Sequence, residues 1–430
     1  MGTTVTAGKG AGDIADDVVL IEAVAAGGDG VGHLADGMTV FVPRTAPGDR
    51  VALARVRRRR RHARAEAAQL LEPGPGRSTP VCRHFAQDNC GGCQWQHLSL
   101  EAQHGAKRRM VGDALRRIGA LAVEDPELIP SPRAFGYRAT ITLTVRWRAG
   151  EPVVGFHRAT GEGEQAGEVF SLERCEIARP EIAALWDAVR PALSALPRGE
   201  DVRFKLRVAH DGGLHLVVHG GDRAWTTPQP LAAAALAAGR PATVWWQPTG
   251  GAVRRMAGPA GDRAGVAFEQ VNAEVAEALR AAVLDAVPRD ARRVLDLYAG
   301  TGDVALALAR RGCDVASVEA DEAAVRLAEQ RARCEGLAVR AVAARVEDRI
   351  AGLLPADAVV VNPPRTGLAP DVTAALARQP PAPLVYVSCD PATLARDLKR
   401  LGAAPARLTL RCFDMFPQTS HVETLAVLRR

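Results

Sequence analysis

From about residue 263 onward, short apolar runs alternate with segments of helix length, and this alternation limits the C-terminal part of the chain to very few folds. Val294–Leu297, Val315–Glu319, Ala358–Val361 and Leu384–Ser388 read as strands; Val271–Val287, Val304–Arg311, Glu322–Cys334 and Val372–Arg378 read as helices. Strands separated by helices cannot pair as hairpins, so the pattern predicts a parallel, doubly wound α/β sheet.

The first of these strands runs into Tyr298-Ala299-Gly300-Thr301-Gly302 and then a helix. Glycines there let backbone approach a ligand closely. Glu319 follows Asp296 by 23 residues, at the end of the next strand, where a carboxylate can accept hydrogen bonds from ribose hydroxyls. A dinucleotide, S-adenosylmethionine and a purely structural turn all remain open. The third glycine of the dinucleotide fingerprint is absent, and an acidic strand end suits the cationic methionine part of S-adenosylmethionine better than a pyrophosphate.

Three further segments carry chemistry. Val361-Asn362-Pro363-Pro364-Arg365 is a strand emptying into a rigid double-proline loop, where such sheets place substrate. Tyr386-Val387-Ser388-Cys389-Asp390-Pro391 ends another strand on a cysteine; alone, this could be a packing thiol. Asp414–Glu423 adds His421 and Glu423 near the C-terminus, where a satisfied histidine and a surface carboxylate are the ordinary readings.

The N-terminal part reads differently. Val18–Ile21, Met38–Val42 and Arg50–Val56, separated by Gly-rich turns, predict a small barrel. Arg57–Arg61 is five consecutive arginines, which is either a solvated charge run or an RNA phosphate contact. Glu72–Gly76 is a linker, Leu98–Ile118 a helix with Lys107, Arg108 and Arg109, and Arg138–His219 contains alternating strands of an antiparallel middle region. Residues 220–262 offer loops and one strand at Trp245-Trp246. The expected organisation is a flexible tail (1–13), a barrel (14–73), a central α+β domain (74–262) and the doubly wound domain (263–430).

The 430 residues carry a net charge of +6, compatible with a polyanionic partner, and 51 of the 55 basic residues are arginine. The longest Ala/Leu stretch, Leu231–Ala238, is far too short to span a bilayer, and the N-terminus has no signal-peptide pattern. No membrane and a cytoplasmic location are therefore expected. Eight cysteines in such a chain argue for metal or catalysis over disulfides. Cys82, Cys90 and Cys93 share one loop, and Cys175 is the natural fourth ligand. Four thiolates suit zinc or an iron–sulfur cluster, and spacing does not choose between them. Cys313, Cys334 and Cys412 read as packing residues.

Together, Ser388-Cys389-Asp390-Pro391, Asp414–Glu423 and the glycine turn make the chain resemble the uracil-C5 RNA methyltransferase family, most densely from Phe268 to Glu423. Residues 17–72 are similar to a TRAM domain, the RNA-binding barrel of the rRNA-type members. The resemblance implies a class I methyltransferase fold and methylation of uracil C5. Cys389 is then the nucleophile on C6 and Glu423 the base. Gln270, Tyr298, Asp303, Glu319 and Asn362 fall on S-adenosylmethionine contacts. It also implies a [4Fe-4S] cluster on Cys82, Cys90, Cys93 and Cys175, with zinc as the alternative. The partner it implies is RNA, 23S rRNA before tRNA, bound by a monomer. Asn362 stands where the family usually has Asp, Arg345 where it has a short polar residue, and the Cys82–Cys90 gap is two residues longer than usual. Asn-Pro-Pro also occurs in amino-group methyltransferases, which need no thiol, and a non-catalytic RNA-binding homologue is a further alternative.

Overall fold

The computed structural model describes residues 14–159, 168–209, 212–221, 224–259, 270–403 and 407–429. The expected tail (1–13), the boundary near residue 263, and Phe268 and Glu269 lie outside the described residues. The chain forms two compact units. The first comprises residues 1–81, 93–106 and 418–420; the second comprises residues 82–92, 107–417 and 421–430.

In the first unit, β1 (Ile14–Val24), β2 (Gly30–His33), β3 (Thr39–Val42), β4 (Arg50–Arg58) and β5 (Ala63–Glu72) close into a barrel of order β1-β2-β3-β5-β4. Closure removes exposed sheet edges. Alternate residues, among them Val19, Ile21, Val40, Val51 and Leu53, fill the interior. Gly30 is required in its turn, because a Cβ there would sit 2.0 Å from Thr45 Oγ1. The arginine run straddles the end of β4, and Arg57–Arg61 are exposed. The fully buried Asp49 fastens the barrel to the following segment by accepting from Arg77 Nη2 at 2.6 Å and Gly74 N–H at 2.8 Å. Trp95, also fully buried, donates from Nε1 to Gly28 O at 3.0 Å. Gln103 and Gln418 exchange two hydrogen bonds, of 2.9 and 3.1 Å.

The second unit begins with α1 (Arg83–Gln87) and takes up the C-terminal part of α2 (Leu100–Arg117). It then carries two sheets. The six-stranded one has the order β12-β11-β10-β9-β7-β8 and uses β7 (Thr140–Arg148), β8 (Glu151–Gly155), β9 (Arg203–Val208), β10 (Leu214–His219), β11 (Ala242–Gln247) and β12 (Arg254–Ala257). Helices α3 (Pro180–Val189) and α4 (Gln229–Ala237) cover it around Trp186, Phe204 and Trp246. Residues 220–262 thus hold more than loops: α4 and β12 are real elements. The sequence PLAAAALA has no polar face, so helical periodicity cannot reveal α4.

The eight-stranded sheet has the order β15-β14-β13-β16-β17-β19-β18-β6. Its strands are β6 (Glu127–Ile129), β13 (Arg293–Leu297), β14 (Asp314–Glu319), β15 (Val339–Ala343), β16 (Ala358–Val361), β17 (Leu384–Ser388), β18 (Leu408–Phe413) and β19 (Glu423–Leu428). Leu295, Val359 and Tyr386 pack on one face, and Val294, Val360 and Val385 on the other. Burial on both faces explains why these strands read as unbroken apolar runs. Helices α5 (Ala273–Ala286), α6 (Asp303–Arg310), α7 (Glu322–Cys334), α8 (Ile350–Leu353), α9 (Pro370–Arg378) and α10 (Pro391–Arg400) supply the crossovers and cover. The expected all-parallel sheet holds for β13 to β17. It ends at β19, which runs antiparallel to both β17 and β18, and β6 from the middle of the chain completes the edge. Among the described residues no helix is long and apolar enough to cross a membrane.

Candidate active site

The carboxyl edge of the parallel strands gathers the residues singled out from sequence. β13 ends in a tight turn in which Tyr298 (φ 61°), Gly300 (φ 54°) and Gly302 (φ 78°) are left-handed. Gly302 caps α6, and a Cβ on it would stand 2.9 Å from Ala328 Cβ on α7. Glu319, at the end of β14, accepts from Gly300 N–H at 2.9 Å and from Asp321 N–H at 2.9 Å. It therefore shapes the turn, and each carboxylate oxygen keeps a further lone pair. Asp303 opens α6 and pairs with Arg331 Nη1 at 2.7 Å, and Arg331 also donates to Thr301 O at 2.9 Å. Tyr298 is partly buried, and burial followed by the charges of Glu347 and Asp397 pushes its phenol up to about 12.

Asp296 lies beneath the turn. It is 3% exposed and accepts from Ala305 N–H at 3.0 Å. Burial pushes its carboxyl up to about 7, with the charges of Asp303 and Glu319 adding to the rise. Asp296 thus supports the first turn of α6. Gln270 is the first described residue after 260–269 and is half-buried. Arg345 is exposed and pairs with its neighbour Glu347, Nε to Oε1 at 2.9 Å.

The neighbouring strand ends carry the other groups. β16 runs parallel to β17 in the register Val361↔Tyr386, so Asn362 and Cys389 leave the sheet on the same edge. Asn362 is exposed, and its N–H donates to Leu297 O at 3.2 Å. β19 is antiparallel to β17 with Ser388↔Thr424, so one step along that register brings Cys389 opposite Glu423. Cys389 is only partly buried. Asp390 caps α10, accepting from Thr393 N–H at 2.8 Å, so the thiol stands just before a helix N-terminus, a position that favours thiolate. Burial and then the Glu423 charge push the thiol up, while Arg365 pulls it down. Glu423 is 5% exposed; burial raises its carboxyl to about 7 against the pull of Arg365. His421 is pushed down by burial and then by the charges of Arg365, Lys107 and Arg138.

A buried ion pair holds the segment before Glu423. Lys107, 0% exposed, donates to Asp414 Oδ1 at 2.5 Å and to Phe416 O at 3.0 Å. Tyr137 Oη donates to Pro417 O at 3.1 Å. Sequence reading gave no role to Arg365, to Asp397 or to the Lys107–Asp414 pair. The one signal available for Arg365 was its place directly after Pro363-Pro364 at a strand end.

None of the four candidate metal-binding thiols is in a disulfide. Cys82, Cys90 and Cys93 are buried, and Gly92 N–H donates to Cys90 Sγ at 3.4 Å. Cys175 interacts electrostatically with Cys90, and burial pushes its thiol up to about 12. Among the described residues no group of three or more His, Cys, Asp or Glu side chains forms a metal-holding set. The donor chemistry of these thiols suits a thiolate-bound cation.

Comparison with known proteins finds relatives over nearly the whole chain. Residues 262–430 match the tRNA (uracil-5-)-methyltransferase family, and residues 21–75 match the TRAM domain of tRNA (uracil(54)-C(5))-methyltransferase. The 23S rRNA (uracil(1939)-C(5))-methyltransferase of Chromohalobacter salexigens is 33% identical over 449 residues, covering 97% of this chain and 90% of that protein. The enzyme with the same description in Aromatoleum aromaticum is 32% identical, covering 96% of this chain and 99% of that protein. The tRNA (uracil-54, C5)-methyltransferase of Pyrococcus abyssi, solved with S-adenosyl-L-homocysteine, shares the fold, with a TM-score of 0.72 and 24% identity over 95% of this chain and 99% of that one. With its glycine turn, its paired Cys and Glu strand ends and relatives matching nearly end to end, the chain belongs to the S-adenosylmethionine-dependent RNA uracil-C5 methyltransferase family.

Proposed function

We propose that the protein methylates C5 of a uridine in 23S rRNA through a covalent adduct on Cys389, with Glu423 as the base. The observation that carries this reading is the β17–β19 register, which sets a partly exposed thiol opposite a buried carboxylate at the sheet edge used by the glycine turn.

Uracil C5 is a poor nucleophile, and the proposed chemistry removes that obstacle. The Cys389 thiolate adds to C6, and the displaced electron pair moves through the ring to give an enolate at O4. S-adenosylmethionine, when bound, supplies an electrophilic methyl carbon, and C5 attacks it. Glu423 then takes the C5 proton. The C6–S bond breaks, the 5,6 double bond returns and the thiolate is regenerated. A Glu held near neutrality by burial can both accept that proton and release it to solvent. The uridine must be unpaired or flipped out to reach this edge.

Gln270, Tyr298, Asp303, Glu319 and Asn362 are proposed to line the donor site. Glu319 receives ribose hydroxyls beside the turn it shapes; Asn362 keeps an acceptor oxygen but brings no charge. The exposed arginines of β4 would hold RNA phosphates. The domain division proposed is a barrel at 14–73, a central domain at 74–262 and a methyltransferase domain at 263–430. Cys82, Cys90, Cys93 and Cys175 are proposed to carry a [4Fe-4S] cluster, with zinc as the alternative, in a structural role, because methyl transfer moves no electron. Iron, sulfide and zinc analysis of anaerobically purified protein decides that point. The protein is proposed to act as a monomer in the cytoplasm.

The test uses 5-fluorouridine-substituted 23S rRNA fragments and tRNA transcripts with S-adenosylmethionine. Fluorine at C5 leaves no proton to remove, so the adduct should accumulate on the Cys389 peptide with rRNA. Trapping with tRNA alone would move the substrate to tRNA. No trapped adduct on either RNA would refute the covalent route, and activity retained in Cys389→Ala would point instead to amino-group methylation.

A further inference from the structure

The glycine turn after β13 is held from two sides. On the sheet side, Tyr298 and Ala299 N–H both donate to Val318 O, at 2.9 and 3.2 Å, and Gly300 N–H donates to Glu319 at 2.9 Å. Asp296 accepts from Ala305 N–H at 3.0 Å, which fixes the helix that follows. These bonds reach the turn up to Gly300 and resume at Ala305. Between them, Gly300 and Gly302 flank Thr301 without a Cβ to restrict rotation, so the Thr301 carbonyl needs an outside partner to keep one direction.

Helix α7 supplies that partner. It starts beside Glu319, where Asp321 N–H donates to Glu319 Oε1 at 2.9 Å and Asp321 caps the helix by accepting from Ala323 N–H at 2.8 Å. Further along, Ala328 and Arg331 stand at i and i+3 on one helix face, and both meet the turn. A Cβ on Gly302 would come within 2.9 Å of Ala328 Cβ. Arg331 Nη1 donates to Thr301 O at 2.9 Å and to Asp303 Oδ1 at 2.7 Å. One nitrogen thus ties the carbonyl before Gly302 to the carboxylate after it. Arg331 is half-buried and Asp303 exposed, and Asp303 Oδ2 accepts no hydrogen bond among the described residues, so it is available to a ligand.

We propose that Arg331 is a positioning residue for the methyl donor. It fixes the Thr301 carbonyl and aims the Asp303 carboxylate, so that the turn presents one geometry to S-adenosylmethionine. The proposal rests on the donor site proposed above and deepens it, because Arg331 acts through the turn and not on the ligand. Arg310 provides an internal control. At the far end of α6 it pairs with Glu335, just past α7, through Nε and Nη2 at 2.7 Å each. It joins the same two helices away from the turn.

The experiment is calorimetric titration of the full-length protein with S-adenosylhomocysteine at low salt. Arg331→Gln should weaken binding about tenfold, the change expected for one charge-assisted hydrogen bond, with rRNA affinity unchanged. Arg331→Lys keeps a positively charged donor and should recover part of the loss. Arg310→Gln should lower the melting temperature comparably to Arg331→Gln yet keep the parent's affinity for S-adenosylhomocysteine. Combined with Asp303→Asn, Arg331→Gln should cost less than the sum of the two single losses, because the pair acts as one unit. Parent-like affinity in Arg331→Gln overturns the proposal. So does an equal loss in Arg310→Gln, which would make the effect a general loosening between α6 and α7. Strictly additive losses overturn the link through Asp303. Absence of binding by the parent protein itself overturns the donor site on which the proposal rests, a failure visible before any variant is made.

Discussion

Lys107→Met tests how the segment leading to Glu423 is held. Met has nearly the shape of Lys, so packing is conserved while the charge and both donated hydrogen bonds disappear. Asp414 is 1% exposed and would be left as a buried anion without its cation, and Phe416 O would lose its donor. Removing one partner of a buried ion pair costs roughly 3–5 kcal/mol. At about 2–4 °C per kcal/mol for a unit of this size, the unfolding transition should fall by roughly 6–20 °C. Scanning calorimetry reads this directly. Lys107→Met combined with Asp414→Leu should recover most of the loss, because apolar replacement of both partners removes the stranded charge. A single variant within ~1 kcal/mol of the parent, or a double variant losing the sum of its singles, would refute the reasoning.

Glu423→Gln should raise stability at pH 8 and leave it unchanged below pH ~4.5. The folded carboxyl sits near 7, above its ordinary value, so its favourable contribution is present in acid and is lost as pH rises through about 7. The shift from 4.5 to about 7 corresponds to at most about 3 kcal/mol, readable by thermal melts across the pH range. Methyl transfer by the parent should rise with pH through neutrality as Glu423 ionises, and rise further as the elevated Cys389 thiol ionises; a flat profile from pH 6 to 9 would contradict both roles. Gly302→Ala must place a Cβ against Ala328 in a left-handed residue, costing about 1–3 kcal/mol. Calorimetric titration with S-adenosylhomocysteine should show affinity reduced or lost, and unchanged binding would sever the turn from the donor site.

The parts of the fold legible in sequence are those whose burial is symmetric. β13, β16 and β17 are apolar on both faces, so they stand out as runs, and the amphipathic α7 shows its period directly. β5 was invisible because ARAEAAQLLE is mostly solvent-facing on a barrel wall, and α4 because it is apolar all round. The antiparallel return was not legible either: β19 pairs back onto β17 and β18 lies outside it, a choice that local pattern does not encode.

The site divides the same way. Gly300, Gly302 and Glu319 are a local strand–turn–strand signal. Cys389 and Glu423 are 34 positions apart and become a pair only through the β17–β19 register, so resemblance to a family carried them before geometry did. Asp397 and the Lys107–Asp414 pair have no local signature, and Arg365 has only its place after Pro363-Pro364. Their meaning is the company that folding gives them, and an arginine-rich chain hides one useful arginine among many.

The most direct measurement is the intact mass of Glu423→Gln after incubation with unmodified 23S rRNA fragment and S-adenosylmethionine, followed by ribonuclease digestion and peptide mapping. If a thiolate opens the ring and this carboxylate closes the cycle, the variant should stall with a nucleotide on the Cys389 peptide, heavier than uridylate by one methyl group. Full turnover to 5-methyluridine with no such species, or a nucleotide attached to a different residue, would contradict the account.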